Sequence, residues 1–253
     1  MEYLMQSLTE PTLLIDGDLY LYKAAAACFE EIEWAEDQWT TTTNLNNAKD
    51  IITSNFTNWA DKFEAKKIIV CLTGSHNFRK QISDTYKSNR KSKRKPEGFA
   101  SFTGWAMNTF SYYKHPALEA DDGLGIIATM PGNENTIIVS DDKDMLTIPA
   151  KVYRPGQDLL VDVTSDEADK NFYMQTLTGD AVDGYPGIPG VGAKKAEVIL
   201  GARPAWSSVE QAYLKHGLSK EDAILNARLA RILRWSDWDA QNKSVKLWTP
   251  NNG

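Results

Sequence analysis

The chain has 253 residues, of which 42% are hydrophobic and 25% charged, so it can bury a core without disulfides or structural metals. No stretch approaches the ~18 consecutive apolar residues of a membrane span, and the first residues lack both the basic and the apolar region of a signal peptide. The two cysteines have neither metal-ligand spacing nor a disulfide framework. These features predict a soluble protein of the reducing cytoplasm, without a membrane partner.

Apolar runs and helical periodicity alternate through the first two thirds of the chain. The runs at 13–15, 67–73 and 136–140 predict three buried strands, and shorter strands are expected at 151–154 and 159–163. Because the longer runs are continuously apolar, they indicate a parallel sheet covered on both faces. The sequence therefore predicts an α/β fold, with a mostly parallel central sheet flanked by helices. Those helices are expected at 19–27, 44–64, 101–113 and 120–130.

The last third of the chain has only helical patterns. Thr164 and Glu167 form a plausible capping box for a helix that continues to Leu177. After a turn rich in glycine and proline, further helices are predicted from Ala193, at 207–216 and at 220–235. We therefore expect a core of residues 1–164 and a helical lobe of residues 165–253.

Acidic residues gather at predicted strand ends, helix starts and loops. The carboxyl ends of parallel strands share one edge of a sheet, so these side chains should lie close together. Any one of the groups is more simply interpreted as a surface turn, but four groups at matched positions favour a site. Their mutual repulsion calls for hard divalent cations, and two Mg²⁺ or Mn²⁺ ions can activate water against a phosphodiester. The groups are Asp16 with Asp18, Glu119 with Asp121 and Asp122, Asp141 with Asp142 and Asp144, and Asp180 with Asp183.

The segment 79–98 is polar and basic and lacks core periodicity, which predicts a mobile arch or loop. Its cations and its tyrosine are suited to holding phosphates and stacking a terminal base. The alternative is an ordinary solvated charged loop. The candidate residues are Tyr86, Lys87, Arg90, Lys91, Lys93 and Arg94.

A glycine-rich turn at 184–196 opens a helix. No Gly-Lys-Ser/Thr motif follows it and no buried strand leads into it, which argues against mononucleotide and dinucleotide loops. Exposed backbone N–H groups at a helix start favour an anion, so a helix-hairpin-helix grip on duplex DNA fits better. A purely structural connector is the alternative. The candidate DNA contacts are Gly187, Gly190, Gly192, Lys194 and Lys195.

Five motifs occur in one order: Leu13-Leu14-Ile15-Asp16-Gly17-Asp18, Tyr86-Lys87-Ser88-Asn89-Arg90-Lys91, Leu118-Glu119-Ala120-Asp121-Asp122, Ser140-Asp141-Asp142-Lys143-Asp144, and Gly179-Asp180-Ala181-Val182-Asp183-Gly184 with the turn that follows. This order resembles the flap endonuclease and 5′→3′ exonuclease family, especially the 5′→3′ exonucleases of short-tailed bacteriophages. The resemblance covers nearly the whole chain. It implies a PIN-like nuclease core with the arch at 79–98, and a helix-hairpin-helix lobe.

The resemblance also implies an activity and a setting. A metal-dependent 5′→3′ exonuclease or structure-specific 5′ nuclease would act on duplex or flapped DNA, and on RNA primers in RNA–DNA hybrids. Its work would be phage DNA replication and recombination, as a monomer in the cytoplasm of an infected bacterial host.

The family's residue roles can be carried over motif by motif. Asp16, Glu119 and Asp121, with Asp122 nearby, would form the first metal site. The second would be formed or supported by Asp142, Asp144, Asp180 and Asp183. On the arch, Lys87 and Arg90 would contact the scissile phosphate, and Tyr86 would stack on the terminal nucleotide. The turn at 184–192 would bind duplex DNA, with K⁺ at its carbonyl oxygens.

One position departs from the family pattern. After the second predicted buried strand, at 67–73, the family usually has an Asp. Gly74 stands in that place, so one carboxylate of the first metal site is missing. This departure leaves open the alternative that the chain is a DNA-junction binding protein with impaired catalysis. The retained acids argue against that alternative, because a pure binder gains nothing from mutually repelling carboxylates. An RNA-cutting nuclease is a third alternative, which the basic segment and the glycine turn disfavour.

Overall fold

The computed structural model describes residues 10–90 and 94–250, without the side chain of Arg90. The predicted DNA contacts Lys91 and Lys93 lie outside the described residues. Within these ranges, no helix is long and apolar enough to cross a membrane. The strands are β1 (Thr12–Asp16), β2 (Phe29–Ala35), β3 (Gln38–Thr43), β4 (Lys67–Leu72), β5 (Tyr112–Lys114), β6 (Thr136–Val139), β7 (Lys151–Arg154), β8 (Leu159–Asp162), β9 (Trp238–Asp239) and β10 (Ser244–Val245). The helices are α1 (Gly17–Ala27), α2 (Leu45–Lys62), α3 (Arg79–Ile82), α4 (Phe99–Thr109), α5 (Ala120–Ala128), α6 (Ser165–Thr178), α7 (Ala193–Leu200), α8 (Trp206–Lys215) and α9 (Lys220–Ala230).

A six-stranded sheet in the order β5-β4-β1-β6-β7-β8 forms the centre of the molecule. All neighbouring pairs are parallel except β7 with β8, which are antiparallel. Alternate side chains of β1 point to opposite faces. Leu13 and Ile15 pack into one hydrophobic cluster, which includes residues of α1, α2 and α4. Leu14 packs into the other, with residues of α5 and α6. The predicted α/β class, with a mostly parallel sheet between helices, is confirmed.

Two parts of the core differ from the sequence-based prediction. The helix expected at 101–113 ends at Thr109, and the chain continues into the short edge strand β5. The hairpin of β2 and β3 was not predicted, because its side chains are almost all exposed and show no apolar face. Neither strand offers the apolar alternation that marks a half-buried sheet.

The helices after residue 164 pack around their own apolar cluster. Thr164 and Glu167 form the capping box that was predicted for α6, and Ser219 forms a second box at the start of α9. Leu177, Ile188 and Tyr213 are among the buried side chains of this cluster. The helix predicted at 220–235 ends earlier, at Ala230. The division into two parts at 164–165 stays a prediction.

The segment that begins at residue 79 is not the free loop that was predicted. α3 starts it, and Arg79 is only 2% exposed. Tyr86 is buried in a cluster with Phe172 of α6, Tyr185 between α6 and α7, and Trp248 after α9. Residues 79–90 therefore connect the sheet to the C-terminal part of the chain, and within the described arch only 79–82 and 88–90 are helical.

A buried ion pair fixes this connection. Arg79 donates to both carboxylate oxygens of Asp122, at 2.8 and 2.7 Å, and Asp122 is fully buried. The same guanidinium donates to the carbonyl oxygens of Leu229 and Arg231. One side chain thus joins α3, the start of α5 and the end of α9.

Arg79→Met leaves Asp122 buried without its counter-charge, so we expect the free energy of unfolding to fall by about 3–5 kcal/mol. Urea denaturation measures the change. The matched control is Lys220→Met, which removes the partner of Glu210 in an exposed pair and should alter stability little. Equal losses in the two variants would contradict a stabilising role for the buried pair.

Candidate active site

A cavity of about 540 Å³ opens at the carboxyl edge of the sheet. Asp16 ends β1, Asp142 follows β6 after a short link, and the start of α5 supplies two further acids. The structure thus gathers predicted site residues from three separate motifs, as the strand-end argument requires. The carboxylates that line the cavity are Asp16, Asp18, Glu119, Asp121 and Asp142.

The innermost acids lie in surroundings that disfavour their charge. Burial raises the pKa of Asp16 to about 6, and the charges of Asp18 and Asp142 add to this, although Ser140 and the Leu19 amide donate hydrogen bonds to it. Burial also raises the pKa of Asp121, and the charges of Asp16 and Glu119 raise it further. Such crowding is relieved when a cation enters.

Glu119, by contrast, lies in surroundings that favour its charged form. Its carboxylate accepts hydrogen bonds from Lys87 Nζ at 2.6 Å, the Tyr86 hydroxyl at 2.8 Å and Arg79 at 3.3 Å. Burial alone would raise the pKa of Glu119, but the charges of Arg79 and Lys87 outweigh it and lower the pKa to about 2. Glu119 is therefore ionised throughout the physiological range.

The donor set fits a hard divalent cation. All five cavity carboxylates offer oxygen ligands, which Mg²⁺ and Mn²⁺ prefer. Among the described residues, no three His, Cys, Asp or Glu side chains are already arranged to hold an ion. Three of the cavity carboxylates accept hydrogen bonds from protein donors: Ser140 donates to Asp16, Lys87 to Glu119 and the Asp144 amide to Asp142.

Asp122 does not join the cavity, which corrects its assignment to the first metal site. Both of its oxygens bond Arg79, and they also accept from the backbone amides of Glu119 and Leu233. With its acceptors used in this way, the carboxylate is a structural partner of Arg79. Asp141, to which the family pattern assigns no role, accepts hydrogen bonds from Lys23 and the Gly156 amide and is structural as well.

The other acids assigned to the second metal site lie beside the cavity. Burial raises the pKa of Asp144, and the charges of Asp142 and Asp180 raise it further, although Lys143 donates a hydrogen bond to it. Asp180 accepts from the Val182 amide in its own turn, and Asp183 lies 3.4 Å from Lys87 Nζ. Asp144, Asp180 and Asp183 are absent from the described cavity lining.

Lys87 is held above the carboxylates by its backbone. Its φ is +52°, a left-handed conformation, and its amide donates to the Asp183 carbonyl at 2.7 Å. Gly184 lies against this turn so closely that a Cβ there would be 2.4 Å from the Thr85 carbonyl oxygen. The turn at 180–185 therefore sets the position of the Lys87 ammonium.

The stacking role predicted for Tyr86 is wrong in this arrangement. Its ring is 3% exposed and its hydroxyl donates to Glu119, so no nucleotide base can reach its face. Arg94 does line the cavity, as expected for a phosphate contact. The residue roles carried over from the family did not include Asp18, Tyr22 or Lys95, although Asp18 belongs to the first acidic group of the sequence. Asp18 and Tyr22 are four residues apart on α1 and so share one face, which was the signal available.

Part of the glycine turn is buried in the protein, and part of it is exposed to solvent. Gly187 is buried and its amide donates to Asn226 at 3.0 Å, so its predicted DNA contact is wrong. Gly190 and Gly192 border open space, and Lys194 is exposed. Lys195 donates to the Gly190 carbonyl at 2.8 Å, which closes the turn. The surface available to a ligand is therefore 190–195.

Comparison with known proteins agrees with this geometry. The family described as 5′–3′ exonuclease, N-terminal resolvase-like domain, matches residues 11–172. The exodeoxyribonuclease of Enterobacteria phage T3 is 28% identical, over 95% of this chain and 93% of the relative. The exonuclease of Escherichia phage T7 is also 28% identical, over 94% of this chain and 93% of the relative.

Solved structures show the same fold. A structure of a bacteriophage T5 protein co-crystallised with metal ions superposes with a TM-score of 0.69 at 18% identity, covering 88% of this chain and 90% of the other. The T5 flap endonuclease in a complex with DNA and metal ions gives 0.68 at 17% identity, covering 88% and 89%. The family match spans more than half of the chain. The chain therefore belongs to the 5′–3′ exonuclease family and is an enzyme of the nuclease class.

Proposed function

We propose that this nuclease uses divalent metal ions to hydrolyse phosphodiesters at the 5′ ends of duplex or flapped DNA, in phage DNA replication and recombination. The observation that carries the proposal is the cavity itself, which is lined by five carboxylates together with Lys87, Arg94 and Lys95. The carboxylates suit cations, and the positive side chains suit a phosphate.

Two Mg²⁺ or Mn²⁺ ions, held by Asp16, Glu119, Asp121 and Asp142 with support from Asp144, Asp180 and Asp183, would supply Lewis acidity and a water-derived nucleophile. The chain's own residues orient the substrate. Lys87 turns from Glu119 towards the scissile phosphate, helped by Arg90 and Arg94. Ser140 and the Leu19 amide keep Asp16 at the end of β1.

Duplex DNA would lie across the exposed part of the glycine turn, where Lys194 faces solvent and Gly190 and Gly192 have open space. The T5 flap endonuclease has been solved with DNA and metal ions, which supports DNA as the substrate. K⁺ at the turn carbonyls, action on RNA primers in RNA–DNA hybrids, and a monomeric state complete the proposal.

Cleavage of 5′-labelled nicked and flapped duplexes tests the function. Short 5′ products are expected with Mg²⁺ or Mn²⁺ and none with EDTA. Asp142→Asn should lower turnover by about a hundredfold or more while duplex binding persists, since it removes charge stabilisation at the reacting centre. The matched control is Asp166→Asn, an exposed acid in the first turn of α6, which should cleave like the wild type. Tight duplex binding without cleavage in either metal would instead favour the junction-binding protein.

Lys87→Ala should lower kcat far more than it weakens duplex binding. The Lys87 ammonium reaches the cavity and not the outer surface, because it bonds Glu119 at 2.6 Å. Single-turnover cleavage and fluorescence anisotropy with the same flapped duplex separate the two effects. Lys80→Ala, an exposed lysine of the same segment, is the control. If kcat and affinity fell equally, a phosphate role at the reacting centre would be wrong.

Lys194→Ala should weaken duplex binding uniformly across sequences and reduce the slope of log K against log salt by about one, as for one lost phosphate contact. Binding is measured between low and moderate salt. The control is Lys67→Ala, at the first residue of β4 and therefore at the end of that strand away from the cavity. This variant should keep the wild-type slope. An unchanged slope for the Lys194 variant would place the duplex elsewhere.

A further inference from the structure

Asp18 is a cavity carboxylate without an assigned role. It lies in the first turn of α1, two residues after Asp16. Gly17 permits this position, because a Cβ there would be 2.5 Å from the Cys71 carbonyl oxygen of β4. The start of α1 is thus packed directly on β4, and Asp18 is carried to the end of that strand.

The backbone of β4 receives the Asp18 side chain. Both carboxylate oxygens face the Thr73 amide, at 3.4 and 3.3 Å, which are long distances for a hydrogen bond to a charged group. The carboxylate therefore lies beside the residue that follows β4, and it is only weakly held there. Its oxygens can take a better partner with little loss.

The end of β4 cannot supply a carboxylate of its own. β1 ends in Asp16 and β6 leads to Asp142, but Thr73 and Gly74 follow β4. A Cβ at Gly74 would be 2.0 Å from the His115 carbonyl oxygen and 2.6 Å from that of Pro116. Because these are backbone atoms, no side chain fits at 74, and the Asp expected from the family pattern has no room.

Among the described residues, Asp18 forms no ion pair, whereas Glu119 pairs with Lys87 and Asp141 pairs with Lys23. Asp16 is close enough to feel its charge. An acid in the first turn also suits the α1 dipole, but Asp16 already caps this helix through the Leu19 amide.

We propose that Asp18 is a metal-binding residue of this cavity, supplying from α1 the oxygen ligand that the end of β4 cannot provide. The inference rests on the proposed metal-dependent function. Asp18 would bind the ion next to Asp16 and Asp121, directly or through a bound water. The altered ligand position would distinguish this chain from family members that have an Asp just after this strand.

Mn²⁺ binding in the absence of DNA tests the proposal without relying on activity. Electron paramagnetic resonance of free Mn²⁺ gives the affinity of the wild type, of Asp18→Asn and of the control Asp166→Asn. We expect Asp18→Asn to weaken binding by about 10- to 100-fold, the range seen when a residue that supports a metal site is lost. Its thermal midpoint should stay near that of the wild type, and Asp166→Asn should bind normally.

The outcomes separate this inference from the function on which it rests. Wild-type affinity in Asp18→Asn, with an active wild-type enzyme, would overturn the role of Asp18 alone. A lowered thermal midpoint with unchanged affinity would make Asp18 a helix-stabilising residue instead. A wild type that neither binds Mn²⁺ nor cleaves DNA would overturn both proposals.

A second variant tests the reason for the altered ligand position. Gly74→Ala should lower the thermal midpoint or prevent folding, because its methyl group meets two backbone carbonyls. A Gly74→Ala protein as stable as the wild type would show that β4 can carry a side chain there, and would remove the structural argument for Asp18.

Discussion

The concentration of negative charge at one edge of the sheet is the constraint on which the rest of this structure depends. Parallel strands bring their carboxyl ends together, so acids from distant motifs meet in one cavity. Two basic side chains of different kinds pair with acids at this edge. Arg79 is buried and bonds both carboxylate oxygens of Asp122, whereas Lys87 donates to a single oxygen of Glu119. The first fixes the architecture and the second can be released.

The hydropathy pattern was sufficient to predict the strands at the centre of the fold. Leu13, Leu14 and Ile15 are all fully buried, and continuous apolar runs of this kind indicate strands covered on both sides. β5 and the β2–β3 hairpin escaped prediction because neither has a clear hydropathy pattern. β5 is a three-residue edge strand, and β2 carries three glutamates and two exposed aromatics. Neither has the burial that periodicity reports.

Spacing arguments located the acidic cavity but could not assign every acid. Glu119 and Asp122 are three residues apart at a helix start, and this suggested a shared direction. In the structure Glu119 faces the cavity while Asp122 faces Arg79, a residue 43 positions earlier in the chain. The partner that decides between the two roles is remote in sequence. Burial of Tyr86 has the same origin, since Phe172 and Trp248 enclose it only after the chain has folded.

The packing of Tyr86 against Phe172, Tyr185 and Trp248 has a consequence for synthesis of the chain on the ribosome. All strands of the central sheet have been synthesised once β8 has emerged. The hydrogen bonds from Tyr86 and Arg79 to Glu119, however, need both donors in their final positions. Arg79 in turn bonds the carbonyls of Leu229 and Arg231. The surroundings of Arg79 and Tyr86 are therefore complete only after α9 and Trp248 have been synthesised.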